Sequence, residues 1–207
     1  MTKIKICGLR RPEDVNMMNR LKPDYVGFIL AEGRRRTISP ETAQSLHAGL
    51  DPSIASVGVF VNQEPDRILE LAGKGIFEAI QLHGQEGPET VRYLKERCGL
   101  PIFKALSVRD GSEADEWQES GVDYLLLDNG IGGTGETFDW SCYGRIPKNI
   151  PLWIAGGLNE DNVPEVLTGL APYGIDVSGG VETDGYKDEK KAARLIACVR
   201  NHDENKK

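Results

Sequence analysis

The chain is poor in the residues that build metal centres and disulfide frameworks. It has three histidines and four cysteines among 207 residues, and Cys7, Cys98, Cys142 and Cys198 lie far apart with no CxxC pair. No zinc-ligand spacing emerges from that set, so no metal is expected. The same thiols are expected to be reduced, as in a cytoplasmic protein. Long apolar runs are missing too: none approaches the roughly 18 residues that cross a bilayer. The opening segment MTKIKICGLRRPEDV lacks the apolar stretch of a secretory signal. Positive charge is in deficit, with 25 Lys+Arg against 32 Asp+Glu and a net charge of −7. That balance argues against nucleic acid or an anionic membrane as partner, while leaving room for one local basic pocket.

What is present reads as one soluble globular unit. Hydrophobic residues make up 39% and charged residues 28%, enough apolar surface to build a core. The length fits a single domain over residues 1–207, with a frayed polar tail from about residue 202. Short β-rich runs recur about every two dozen residues: Lys3–Cys7, Tyr25–Leu30, Ser56–Val61, Glu78–Leu82, Ile102–Leu106, Asp123–Asp128, Leu152–Ala155 and Ile175–Ser178. Between them lie stretches with helical apolar spacing. Several open on a capping or proline signal, as at Arg11-Pro12, Ser39-Pro40, Gly87-Pro88 and Asn159-Glu160-Asp161. Strands alternating with helices imply a parallel α/β sheet, and eight units suffice to close a single (β/α)8 (TIM) barrel. An open doubly wound sheet is the rival.

Strand one carries the most chemical information. Alternation puts Lys3, Lys5 and Cys7 on one face and Ile4 and Ile6 on the other. The isoleucines suit the layer beneath helices, so the lysines and cysteine must face the barrel interior. A buried lysine needs a counter-charge; strand eight, its neighbour in a closed barrel, offers Asp176, and an ion pair between Lys5 and Asp176 is expected. Above Lys5, Cys7 reads either as a base or nucleophile with a lowered pKa, or as a buried structural cysteine. Asp128 follows Leu125-Leu126-Leu127 and reads as a general acid raised by desolvation, or as a loop cap. The glycine-rich stretch after it reads as a lid or a flexible connection. Arg34-Arg35-Arg36 could clamp a carboxylate or form a solvated face. His83 reads as a structural histidine. Gly156-Gly157 and Gly179-Gly180, with Ser178, fall in the loops after strands seven and eight, where barrels commonly hold phosphate.

Several segments together resemble phosphoribosylanthranilate isomerase. They are Lys5-Ile6-Cys7-Gly8, Val57-Gly58-Val59-Phe60-Val61-Asn62, Gln81-Leu82-His83-Gly84, Gly132-Gly133-Thr134-Gly135 with Phe138-Asp139-Trp140, Ala155-Gly156-Gly157-Leu158 and Asp176-Val177-Ser178. The resemblance runs from residue 3 to about residue 190. It implies a small (β/α)8 barrel of tryptophan biosynthesis that performs an Amadori rearrangement, an internal oxidoreduction of aldose–ketose type without cofactor or metal. It also implies Cys7 as general base, Asp128 as general acid and Arg36 at the anthranilate end. The partner implied is a small phosphorylated aminosugar, bound by a monomer or homodimer. Two positions depart from the family pattern: the residues before Arg36 are arginines, so Arg34 or Arg35 could share its role, and Gly179 stands where a second serine is common. Rival readings are another sugar-phosphate isomerase or epimerase on this fold, a Schiff-base aldolase using Lys104, and a binding module that needs neither Cys7 nor Asp128.

Overall fold

The computed structural model describes residues 1–107, 116–128 and 149–205. Eight parallel strands follow one another in sequence order: β1 (Lys3–Cys7), β2 (Tyr25–Ile29), β3 (Ala55–Phe60), β4 (Ala79–Leu82), β5 (Ile102–Ser107), β6 (Tyr124–Asp128), β7 (Leu152–Ala155) and β8 (Gly174–Val177). β8 pairs back onto β1, with Lys5 opposite Asp176, and the sheet closes into a barrel. Closure leaves no edge and excludes the open doubly wound alternative. Every strand boundary lies within one residue of the run expected from the sequence.

The described helices are α1 (Pro12–Leu21), α2 (Pro40–Ala48), α3 (Pro65–Gly73), α4 (Pro88–Cys98), α5 (Val163–Leu170) and α6 (Glu189–Glu204). The first four begin on proline, whose fixed φ suits the first turn and whose missing N–H has no partner to lose there. α5 starts later than the Asn159 signal suggested. Pro164 must sit in a first turn, and the chain before it is held by a reciprocal asparagine pair. The Asn159 N–H donates to Asn162 Oδ1 at 2.9 Å, and the Asn162 N–H donates to Asn159 Oδ1 at 3.2 Å. The glycine-rich stretch after Asp128 and Cys142 lie outside the described residues.

The C-terminal end also departs from expectation. From residue 202 the chain is helical through Glu204, and Asp203 is buried, accepting the Thr2 N–H at 2.5 Å and the Thr2 hydroxyl at 2.9 Å. A carboxylate that finds two donors on β1's approach anchors the last turn there rather than fraying. No described helix is long and apolar enough to cross a membrane.

Two apolar layers position the site. Ile4, Ile6, Val26, Phe28, Ile80 and Ile154 point outward and pack under the helices. Inside the barrel, Phe103, Trp153, Leu126 and Val57 form a second cluster against Tyr25 and Tyr124. The Phe103 and Trp153 rings meet edge to face at 5.3 Å and Tyr25 meets Trp153 at 5.4 Å, so aromatic side chains fill the inside of the sheet. Lys3 does not share the interior with Lys5: its side chain is 40% exposed and its ammonium pairs with Asp24 at 2.8 Å. A long flexible stem at the strand's start escapes to water, which Lys5, two residues further in, cannot do.

Candidate active site

A cavity of about 840 Å3 opens at the C-terminal ends of the strands. Its lining includes Cys7, Arg36, Gln81, His83 and Asp128, together with the glycine loops after β7 and β8. Parallel strands aim their last inward side chains at one rim, so residues far apart in sequence converge there.

On the β1–β8 side the expected ion pair is present. Lys5 Nζ donates to Asp176 Oδ2 at 2.7 Å, with the lysine side chain fully buried and the aspartate 7% exposed. Burial works against the Lys5 charge, but Asp176 and the neighbouring Cys7 outweigh it and hold its pKa above the ordinary lysine value. One step up the strand, Cys7 stands opposite Gly27. A Cβ on that glycine would lie 2.6 Å from Cys7 Sγ, so only glycine leaves room for the thiol. One of the two readings of Cys7 from the sequence has its pKa lowered. The structure reverses the sign: burial pushes the thiol up, and the pull of Lys5 and Lys187 toward thiolate only partly offsets it. Desolvation of the charged form wins over two nearby cations, one of them already neutralised by Asp176.

Across the barrel, Asp128 ends β6 and His83 follows β4. His83 Nε2 lies 3.0 Å from Asp128 Oδ2, and His83 Nδ1 lies 2.8 Å from Gln81 Nε2. His83 is therefore part of the rim, tied to both Gln81 and Asp128. Both its side chain and that of Asp128 are about a third exposed, at 32% and 28%.

Arg36 reaches the cavity from the loop after β2. Its Nε and Nη2 donate to the two oxygens of Glu182 at 2.6 and 2.7 Å, a bidentate pair, and Arg35 Nη2 adds a third contact at 2.8 Å. Lys187 donates to Glu182 Oε1 and to the Ser178 carbonyl, each at 2.9 Å. Burial disfavours the Glu182 carboxylate, but Arg36 and Lys187 hold its pKa down to about 2. Three cations thus converge on one carboxylate, leaving the wall of the cavity positive in a chain that is acidic overall.

Glu182 and Lys187 come from a hairpin, β9 (Glu182–Thr183) and β10 (Tyr186–Lys187), that the sequence reading did not register. The signal was there. Asp184 and Gly185 both have positive φ, 51° and 80°, and Asp-Gly is the favoured two-residue hairpin turn. The hairpin is braced by Arg11, whose guanidinium lies 4.0 Å over the Tyr186 ring, and by Arg10, which stacks on the same ring and donates to the Gly185 carbonyl.

The two glycine pairs line the same cavity for different reasons. Gly156 and Gly157 have positive φ, 86° and 66°. Gly180 is there for space: a Cβ would sit 1.9 Å from the Leu158 carbonyl oxygen, so the two loops approach backbone to backbone. Ser178 donates its hydroxyl to the Cys7 carbonyl at 2.9 Å, tying the loop after β8 to strand one.

Lys104, the rival Schiff-base lysine, is occupied elsewhere. It is 3% exposed and donates to Glu86 at 2.9 Å and to the Gly84 carbonyl at 2.7 Å. Among the described residues no three His, Cys, Asp or Glu side chains are placed to hold a metal ion.

Comparison with known proteins places these features in a family context. A family model described as N-(5'phosphoribosyl)anthranilate (PRA) isomerase matches residues 4–197. The N-(5'-phosphoribosyl)anthranilate isomerase of Thermoanaerobacter sp. (strain X514) is 42% identical over 204 residues, covering 97% of this chain and 98% of the relative. The crystal structure of phosphoribosyl anthranilate isomerase from Thermus thermophilus superposes with a TM-score of 0.86 at 33% identity, covering 97% of this chain and all of that one. A second solved relative, at TM-score 0.83 and 34% identity over 97% of this chain and all of the other, holds reduced 1-(o-carboxyphenylamino)-1-deoxyribulose 5-phosphate.

Proposed function

The chain belongs to the N-(5'-phosphoribosyl)anthranilate isomerase family, and from that premise we propose how its rim residues divide the work. The protein isomerises N-(5-phosphoribosyl)anthranilate to 1-(2-carboxyphenylamino)-1-deoxyribulose 5-phosphate in tryptophan biosynthesis.

Our reading assigns Asp128 as the acid and Cys7 as the base. Asp128 gives a proton to the ribose ring oxygen as the C1–O bond breaks, and the anthranilate nitrogen supplies the electron pair that forms a protonated imine. That imine acidifies the hydrogen on C2. Cys7, as thiolate, takes it; the electrons left behind form the C1=C2 bond as the C=N electrons return to nitrogen, giving an enolamine. Proton return to C1 and loss of the enol proton yield the ketone. C2 is oxidised as C1 is reduced, so electrons balance within the substrate and the step is an intramolecular oxidoreduction that calls for no external redox cofactor. The imine also helps its own base: a positive charge arriving beside a buried thiol favours thiolate just when it is needed.

We assign Arg36 to the anthranilate carboxylate, with Glu182 fixing the plane of its guanidinium, and Arg35 or Arg34 adding charge at the mouth. The loops at Gly156-Gly157 and Gly179-Gly180 are our phosphate site, where glycine lets backbone N–H groups approach an anion. Lys5, Asp176, Ser178 and His83 act in support. Free Cys7, Cys98 and Cys198 suit a reducing, cytoplasmic setting.

The observation that carries this reading is the single cavity in which Cys7, Asp128, Arg36 and both glycine loops meet. The test follows the fluorescence of the anthranilate-linked substrate with purified Cys7→Ala protein. Turnover should vanish while the reduced product analogue still binds. A Cys7→Ala enzyme with ordinary turnover removes Cys7 from the reaction.

A further inference from the structure

Gln81 has no part in the assignment above, yet it is the least expected side chain inside the barrel. It is 1% exposed on an inward position of β4 where an aliphatic residue would pack without cost. Its Oε1 is buried with no hydrogen-bond partner among the described residues, while its Nε2 lies 2.8 Å from His83 Nδ1. An amide nitrogen only donates. With the amide turned this way His83 Nδ1 accepts, which puts the ring's single proton on Nε2, facing Asp128 Oδ2 at 3.0 Å. The tautomer of His83 is thereby set from behind.

We propose that Gln81 is a positioning residue that orients the proton of the catalytic acid through His83. With Nε2–H donating to Oδ2, that oxygen is an acceptor, and the transferable proton of Asp128 is confined to Oδ1. When Asp128 passes this proton to the ring oxygen it becomes a carboxylate, and the Nε2–H···Oδ2 bond turns charge-assisted. The contact is therefore stronger in the transition state than before it, which is the form of interaction that raises kcat and leaves substrate binding alone. In the opposite tautomer, Nε2 would accept the Asp128 proton and hold it away from substrate.

This inference rests on Asp128 being the acid, and the experiment separates the two. In the unmodified protein, 15N NMR of His83 should show the proton on Nε2. Gln81→Met, close in shape but without a donor, should lower kcat by roughly 10–100-fold with little change in KM. It should also change the pH dependence of kcat, because the lost donor had favoured the carboxylate. His83→Asn removes the imidazole that links Gln81 to Asp128, so adding Gln81→Met to it should cost little further. A His83 proton on Nδ1, or a Gln81→Met enzyme with unaltered kcat and pH profile beside an inactive Asp128→Asn, overturns the proposal and leaves Asp128 as acid. An active Asp128→Asn overturns both. Should Gln81→Met fail to fold, the NMR tautomer of the unmodified protein still decides.

Discussion

The two sides of the cavity solve opposite problems with opposite means. At the β1–β8 side, the proposed base Cys7 sits in a dry corner where charge is balanced by charge: Lys5 against Asp176 at 2.7 Å, both nearly inaccessible to water. At the β4–β6 side, the proposed acid Asp128 sits about a third exposed at the end of a hydrogen-bond chain from Gln81 through His83. A thiol that must ionise only when an iminium appears gains from being kept neutral by burial. An acid that must reload after each turnover gains from contact with water. On the proposed roles, the placement of each group follows from when its charge changes, and the surrounding residues differ accordingly.

The largest expected effect tests whether both sides do chemistry at all. Asp128→Asn should lower kcat by about 10²–10⁴-fold, the range of a general acid, in a protein that still unfolds cooperatively at ordinary denaturant concentration. Near-normal turnover would leave the acid side without its assigned role. Stability should then split the two sides. Lys5→Met leaves Asp176 buried and unpaired, at a cost of about 3–5 kcal/mol in chemical denaturation. His83→Asn removes hydrogen bonds from a partly hydrated pair and should cost about 1 kcal/mol. Equal losses at the two sites would erase the contrast between charged and neutral support.

The hairpin sharpens it further. Glu182 has its pKa held at about 2, below the ordinary 4.5, so its ionised form stabilises the fold. That contribution is complete above about pH 4.5 and is lost as pH falls toward about 2. From the size of the shift it is on the order of 3 kcal/mol. Glu182→Gln should be less stable at neutral pH and should show a flatter loss of stability across that acid window. An unchanged pH profile would mean that the Arg36–Lys187 cluster does not depend on this carboxylate.

The sequence exposed some of this and concealed the rest for physical reasons. In β1 the alternation of KIKIC left Lys5 with only the inside of the barrel to enter, so its need for Asp176 could be reasoned before any coordinate. The sign of the Cys7 shift could not, because it depends on how completely the thiol is desolvated, and that is set by the packing of the closed barrel around it. Asp128 showed itself by ending three leucines. His83 looked structural because its link to Asp128 crosses two strands that are distant in sequence. Gln81 was visible only as part of a motif, since one polar residue in a four-residue strand breaks no pattern strongly. The Asp184-Gly185 turn was legible and was passed over; its flanking strands are two residues each, too short for alternation to register.

The smallest expected effect concerns the thiol itself. Burial raises the Cys7 pKa, Lys5 and Asp176 pull in opposite directions, and Lys187 lowers it. Lys5 is a poor probe because its loss threatens the fold. Lys187 is better placed: it is anchored to Glu182 and the Ser178 carbonyl, outside the strand-one ion pair. Removing its charge takes away a stabiliser of thiolate and leaves desolvation in place. The alkylation rate of Cys7 in Lys187→Met should therefore reach its midpoint at higher pH than in the unmodified protein, with Cys98→Ser, Cys142→Ser and Cys198→Ser introduced into both to isolate the signal. Asp176→Asn, read in whatever fraction remains folded, should move the midpoint the other way. Shifts of opposite sign mean that the dry side of the cavity is tuned by its charges. A common direction, or none, means that burial alone sets the thiol and that the charges serve only to hold the barrel closed.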